Sequence, residues 1–168
     1  MRGIRAILAA IAVAAVAAGF VASSAFAGSA HFIKNATGAS QSGSSVICHF
    51  KETGLQSGSV ETITCGATAT TTYECVNGGG KNPSASNKTT TESPVSNSDE
   101  FPADRNGNVV GTVTLSPPTA AQLGFSCPSG QTTTFVSVVY SDLSVSDADS
   151  GASLAIPGSF SYTNPNAP

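Results

Sequence analysis

The chain has no tryptophan and one methionine, and aromatics make up only 7% of its 168 residues. Charged residues are also few, at 10%. Each shortage excludes something. Recognition of sugars by β-rich modules relies on exposed aromatic rings. Here Tyr73 and Tyr162 fall on the apolar faces of alternating segments, which leaves Tyr140 as the single candidate platform. Nucleic acids and anionic membranes require a basic footprint, and the basic residues Lys34, Lys51, Lys81, Lys88 and Arg105 are scattered. No nucleic-acid partner is therefore expected. G-x-S-x-G, H-E-x-x-H and C-x-x-C are all missing. The only histidines are His31 and His49, so no catalytic set is assigned and no cofactor is expected. No window shows a convincing helical period built from helix formers.

What is present begins with an export signal. Arg2 and Arg5 precede an Ala-, Val- and Ile-rich run from Ala6 to Ala22, and Ala25-Phe26-Ala27 is an A-x-A-type cleavage site. Residues 1–27 read as a signal peptide and residues 28–168 as one secreted domain. The apolar run is short for a membrane span and no second one follows, so no membrane association is expected after cleavage. Cleavage removes two of the seven basic residues, leaving a mature charge of −5.

The mature part holds 41 Ser and Thr among 141 residues, against 29 Val, Ile, Leu, Phe and Tyr. So thin a core leaves a small margin over chain entropy, and Cys48, Cys65, Cys75 and Cys127 can widen it. An exported chain with four cysteines allows three bridging patterns. Ser45–Lys51 and Val60–Cys65 flank a turn-like segment, and folding them as a hairpin sets Cys48 opposite Cys65 within bridging reach. That pairing leaves Cys75 with Cys127.

The remainder reads as short strands and turns. His31–Ile33 is a first strand and 35–45, rich in Gly and Ser, a loop. From Ile63 to Cys75 the odd positions are mainly apolar and the even ones polar, as a strand with one buried face requires. Gly66 marks a bulge there, or the run continues as one long strand. Thr89–Ser98 is an irregular edge strand containing Pro94, and Val109–Leu115 follows an Asn-Gly turn. Thr132–Val145 shifts register near Ser141-Asp142. The last strand, 152–162, turns Leu154, Ile156, Phe160 and Tyr162 to one side. Seven or eight strands with frequent turns argue for an all-β, antiparallel, immunoglobulin-like sandwich, with a small barrel as the alternative.

Two kinds of segment are candidates for binding. Asn77, Gly78, Gly79, Gly80, Lys81 and Asn82 open a polar loop whose glycines permit close backbone approach by a partner. Asp147 and Asp149, with Gly151, and the series Asp104, Asn106, Asn108 are calcium candidates. Calcium takes 6–8 oxygens and each turn supplies about three side-chain ones. Asp, Asn and Gly also serve hairpin turns for steric reasons alone, so no metal site is assigned.

The segments Tyr73-Glu74-Cys75-Val76-Asn77-Gly78-Gly79-Gly80-Lys81-Asn82-Pro83, Asn87-Lys88 and Phe125-Ser126-Cys127-Pro128-Ser129-Gly130-Gln131 resemble those of small secreted actinobacterial β-sandwich proteins. The resemblance covers much of Leu55 to Phe160. It implies export, a β-rich fold and a Cys75–Cys127 pair, and it carries no activity. The architecture is also broadly similar to that of neocarzinostatin-type chromophore carriers, with different cysteine spacings, which implies a small apolar ligand in a cleft. The function expected is a secreted, non-catalytic binding or structural module whose partner is an extracellular protein or a small ligand. A ligand carrier and a hydrolase using His49 are the alternatives.

Overall fold

A computed structural model of the protein describes residues 30–78 and 87–167. Nine strand segments follow in order: β1 (His31–Phe32), β2 (Gly38–Ser42), β3 (Ser45–Thr53), β4 (Val60–Asn77), β5 (Lys88–Pro102), β6 (Val109–Leu115), β7 (Gln131–Asp147), β8 (Ser153–Ala155) and β9 (Phe160–Thr163). They form two antiparallel sheets packed as a sandwich. In the first, β3 is central: β6 takes one edge, and β1 and β2 share the other in series. In the second, β4 and β7 are central, β5 is one edge, and β8 and β9 share the other.

The alternation read over 63–75 belongs to a single strand of 18 residues, β4. Its inward side chains Ile63, Cys65 and Ala69 meet Val46, Cys48 and Phe50 of β3, Val113 and Leu115 of β6, and Val138, Tyr140, Leu143 and Val145 of β7 in one core. The bulge expected at Gly66 and the shift expected near Ser141-Asp142 are one irregularity. Between the pairs Gly66↔Ser144 and Thr68↔Ser141, β4 contributes one residue and β7 two. Asp142 sits there at φ 52°, in the left-handed region that Asp tolerates better than most side chains. The extra residue restores the core parity, so Val138 and Tyr140 before it and Leu143 and Val145 after it all point inward.

Both predicted disulfides are present, Cys48–Cys65 with a Cα separation of 6.3 Å and Cys75–Cys127 with 5.5 Å. Formed disulfides in such a chain point to an oxidising environment. The hairpin that suggested the first of them is absent. Cys48 pairs with Ala39 and Val113 in one sheet, while Cys65 pairs with Asn97 and Val145 in the other, so the bridge staples the two layers. Segment 54–59 crosses between sheets because its backbone is satisfied by a second crossing, 103–108. Leu55 N–H donates to Gly107 O at 3.1 Å, Gly58 N–H to Ala103 O at 3.2 Å, and Ala103 N–H to Ser59 O at 2.8 Å. Two chain crossings thus lie side by side and hydrogen-bond each other, as strands in a hairpin would.

Three further expectations are corrected. The Gly- and Ser-rich stretch 35–45 is not all loop: after a 3-10 turn at Lys34–Ala36 it forms β2, which pairs with β3 from Gly38↔His49 to Ser42↔Ser45 around Gly43-Ser44. Edge pairing through the backbone makes little demand on side chains, so composition hides it. The last strand, 152–162, is two strands, β8 and β9, separated by Pro157-Gly158. Tyr140 is no surface platform: it is fully buried, with its hydroxyl donating to Ser44 O at 2.9 Å.

Candidate functional site

At one end of the sandwich three carboxylates continue the inward stripes, while Thr71 and Glu74 are buried further along β4. On β3 the buried series is Val46, Cys48, Phe50 and then Glu52; on β4, Glu61 precedes Ile63 and Cys65; on β7, Asp147 follows Leu143 and Val145. Register explains the convergence. Asp147 pairs with Ile63, next to Glu61's position on β4, and β3 ends nearby in the other sheet. Asp149, exposed on the turn after β7, completes the group.

The turn geometry is closely specified. Asp147 Oδ1 accepts from Asp149 N–H at 2.9 Å and Oδ2 from Ser150 N–H at 3.3 Å, while Gly151 takes φ 77° to close the loop. Asp149 Oδ2 accepts from Thr62 N–H at 2.8 Å, tying the turn to β4. Ser59 Oγ–H also reaches Glu61 Oε1. Ser150 Oγ–H donates to Glu52 Oε1 at 2.9 Å, spanning the two sheets, and Glu52 Oε2 is buried with no donor. One oxygen each from Glu61, Asp147 and Asp149 lie within 4.8 Å of one another. Burial pushes the Glu52 carboxyl up to about 7; the Ser150 hydrogen bond opposes this, and Asp147 and Glu61 add to it. Glu61 is raised chiefly by burial as well, with the Asp147 and Asp149 charges contributing.

Of the calcium candidates, Asp147 and Asp149 fall into this group, joined by Glu52 and Glu61. The signal for the latter two was legible as parity, since each occupies a position where its strand's alternation calls for an apolar residue. The Asp104 series does not join them. Asp104 Oδ1 accepts from Asn106 N–H at 2.7 Å and from Asn108 N–H at 2.9 Å, so this carboxylate shapes its own turn.

At the predicted loop, Asn77 is the last residue of β4, paired with Gln131, and Gly78 lies in a turn, both exposed. Gly79, Gly80, Lys81 and Asn82 lie outside the described residues, as does the signal segment 1–27. His49 faces outward, opposite in sense to Cys48, and its ring lies over Gly38, where a Cβ would come within 2.9 Å of Nε2.

A second concavity runs along the β5 edge of the second sheet. It has a volume of about 610 Å³ and is lined by Val95, Asn97, Thr114, Pro117, Pro118 and Leu123 among others. Asn97 Nδ2 donates to Thr114 O at 3.0 Å across it. Tyr73 Oη donates to Pro118 O at 2.9 Å and anchors the wall. Among the described residues no helix is long and apolar enough to cross a membrane.

Compared with known proteins, the chain matches no family model, no curated protein and no solved structure. Its class is therefore defined by the fold itself, an antiparallel β-sandwich with two disulfides.

Proposed function

We propose that the chain is exported through its 1–27 signal and acts outside the cell as a non-catalytic binding module, with the β5 groove as its partner surface. The observation that carries this reading is the groove's make-up. Hydroxyl and amide side chains from β5 and β6 face the proline wall at 117–118 along a sheet edge. Such a lining suits an extended polypeptide, which an edge strand can meet through its backbone while side-chain pockets select sequence. The space between the sheets is filled by Tyr140, Phe50, Ile63, Leu115 and Leu143, which weighs against a carrier of an apolar ligand inside the sandwich.

The test has two steps. N-terminal sequencing of protein recovered from host culture medium is expected to begin at Gly28. A displayed peptide library is then panned on that protein. Selected peptides should lose at least tenfold in affinity on Ser96→Arg or Ser116→Arg, both exposed at the groove, and keep it on Thr112→Arg on the outer face of the other sheet. Equal binding by all three variants would refute the groove as the partner surface. A persistent added small-molecule mass in native mass spectra would favour the carrier reading instead.

A further inference from the structure

We propose that the carboxylate end of the sandwich is a calcium site, liganded by Glu61, Asp147 and Asp149, with the Glu52 carboxyl buried beside it. This is independent of the β5 groove.

Distance is the first argument. Calcium holds its oxygens at about 2.3–2.6 Å, so two ligands of one ion lie no more than roughly 5 Å apart. One oxygen from each of Glu61, Asp147 and Asp149 meets that limit, all within 4.8 Å of one another. Their hydrogen bonds leave room for an ion. Asp147 and Asp149 use single lone pairs on backbone N–H groups, which aim the carboxylates and leave other lone pairs open.

Glu52 is the second and separate argument. Its side chain is fully buried; Oε1 accepts from Ser150 Oγ–H, while Oε2 has no hydroxyl or amide donor and the carboxyl lies against that of Asp147. Burying a carboxylate oxygen without a partner is among the more costly arrangements a fold can hold, worth several times an ordinary hydrogen bond. Asp147 and Glu61 stand close enough to repel it. The Lys88–Glu74 ion pair lies at the far end of β4, away from this cluster. The missing component is a cation.

Donor chemistry then selects the ion. Every ligand is an oxygen, from carboxylates with Ser59 and Ser150 hydroxyls beside them, and all four cysteines are committed to disulfides. Oxygen-only sites suit hard cations rather than zinc or copper. Ligands drawn from two strands and a turn, without a rigid octahedral frame, favour calcium over magnesium, which keeps most of its waters. Bound there, the ion would fix the 147–151 turn to β4 and, through Ser150 and Glu52, to the other sheet.

The test uses the purified, disulfide-intact protein, stripped with EGTA. Calorimetric titration with CaCl2 at constant ionic strength is expected to show one site, with a Kd of about 1 mM or tighter, as in extracellular modules. In 10 mM CaCl2 the midpoint of thermal unfolding should rise by several degrees, and 10 mM MgCl2 should give less than half of that rise. Asp149→Asn, exposed and so compatible with folding, should weaken binding at least tenfold; Glu61→Gln should do the same. Absence of both heat and a thermal shift in the unsubstituted protein would overturn the proposal. So would a shift that magnesium reproduces in full or that survives Asp149→Asn, since either marks a general salt effect. If the cluster instead holds a proton in place of an ion, Glu52→Gln stabilises the stripped protein and calcium still does nothing, which also overturns it.

Discussion

Cys48 on β3 and Cys65 on β4 join opposite sheets at a Cα separation of 6.3 Å, both fully buried in the core. The bridge spans only 17 residues of sequence, yet it links the two layers at the centre of their packing. It therefore does two things. It shortens the unfolded chain's freedom, and it fills core volume beside Ile63 and Val113.

Removing the pair by Cys48→Ala with Cys65→Ala should lose both contributions. The closed loop alone is worth about 3 kcal/mol in the chain-entropy account, and the vacated sulfur volume adds about 1 kcal/mol. Urea unfolding of the double variant is expected to show a loss of about 4 kcal/mol. A loss below about 1 kcal/mol would mean that the sheets hold together without the staple.

Gly111 on β6 makes room for Phe101 of β5. A Cβ at Gly111 would overlap the Phe101 ring, coming within 2.7 Å of Cδ1, and would reach 3.0 Å from Phe50 Cζ. Phe101 cannot move freely, because it packs edge-on against Phe50 with ring centroids 5.0 Å apart. Gly111→Val is expected to cost about 1–3 kcal/mol by overpacking. In the background of Phe101→Ala most of that cost should vanish, and a double-mutant cycle in urea reads the coupling.

The Asp104 turn predicts a pH effect of definite sign. Backbone N–H donation from Asn108, aided by Asn106, holds its carboxyl below the usual aspartate range. The folded state thus binds this proton less readily than the unfolded chain does. The turn's contribution is fully present above the ordinary value of about 3.9 and is lost as pH falls through the lower folded value. The carboxyl titration of Asp104, followed by NMR, should have its midpoint below the ordinary aspartate value of about 3.9. In Asp104→Asn, the stability lost between pH 5 and 3 should be smaller than in the unsubstituted protein. An equal acid loss in both would remove this role.

Much of the fold is legible along the chain because its signals are local. Strand β6 was bounded at both ends by turn and proline chemistry, and it runs over Val109–Leu115 as expected. The parity break at Ser141-Asp142 is written in the side chains themselves. The candidate site was half legible. Asp147 and Asp149 are marked by their turn, whereas Glu52 and Glu61 show only as breaks in an apolar stripe. Strand β2 carries no such signal, since backbone pairing at an edge leaves almost no mark on composition.

The sequence by itself determined that the chain is built of strands and which apolar residues of β4 and β6 point inward; the cysteine pairing followed from it only through a hairpin that the fold does not form. The sequence did not determine which sheet each strand joins. A six-residue connection such as 54–59 serves equally as a hairpin loop or a crossing. The choice was made by hydrogen bonds to 103–108, a segment nearly fifty residues away in the chain. Only that choice turned Cys48–Cys65 from a cross-strand link into a staple between layers. The same choice brought Glu52 from one sheet to the carboxylates of the other. Tertiary structure thus decided the site, because charges on separate strands repel or share an ion only once packing has set the distance between them.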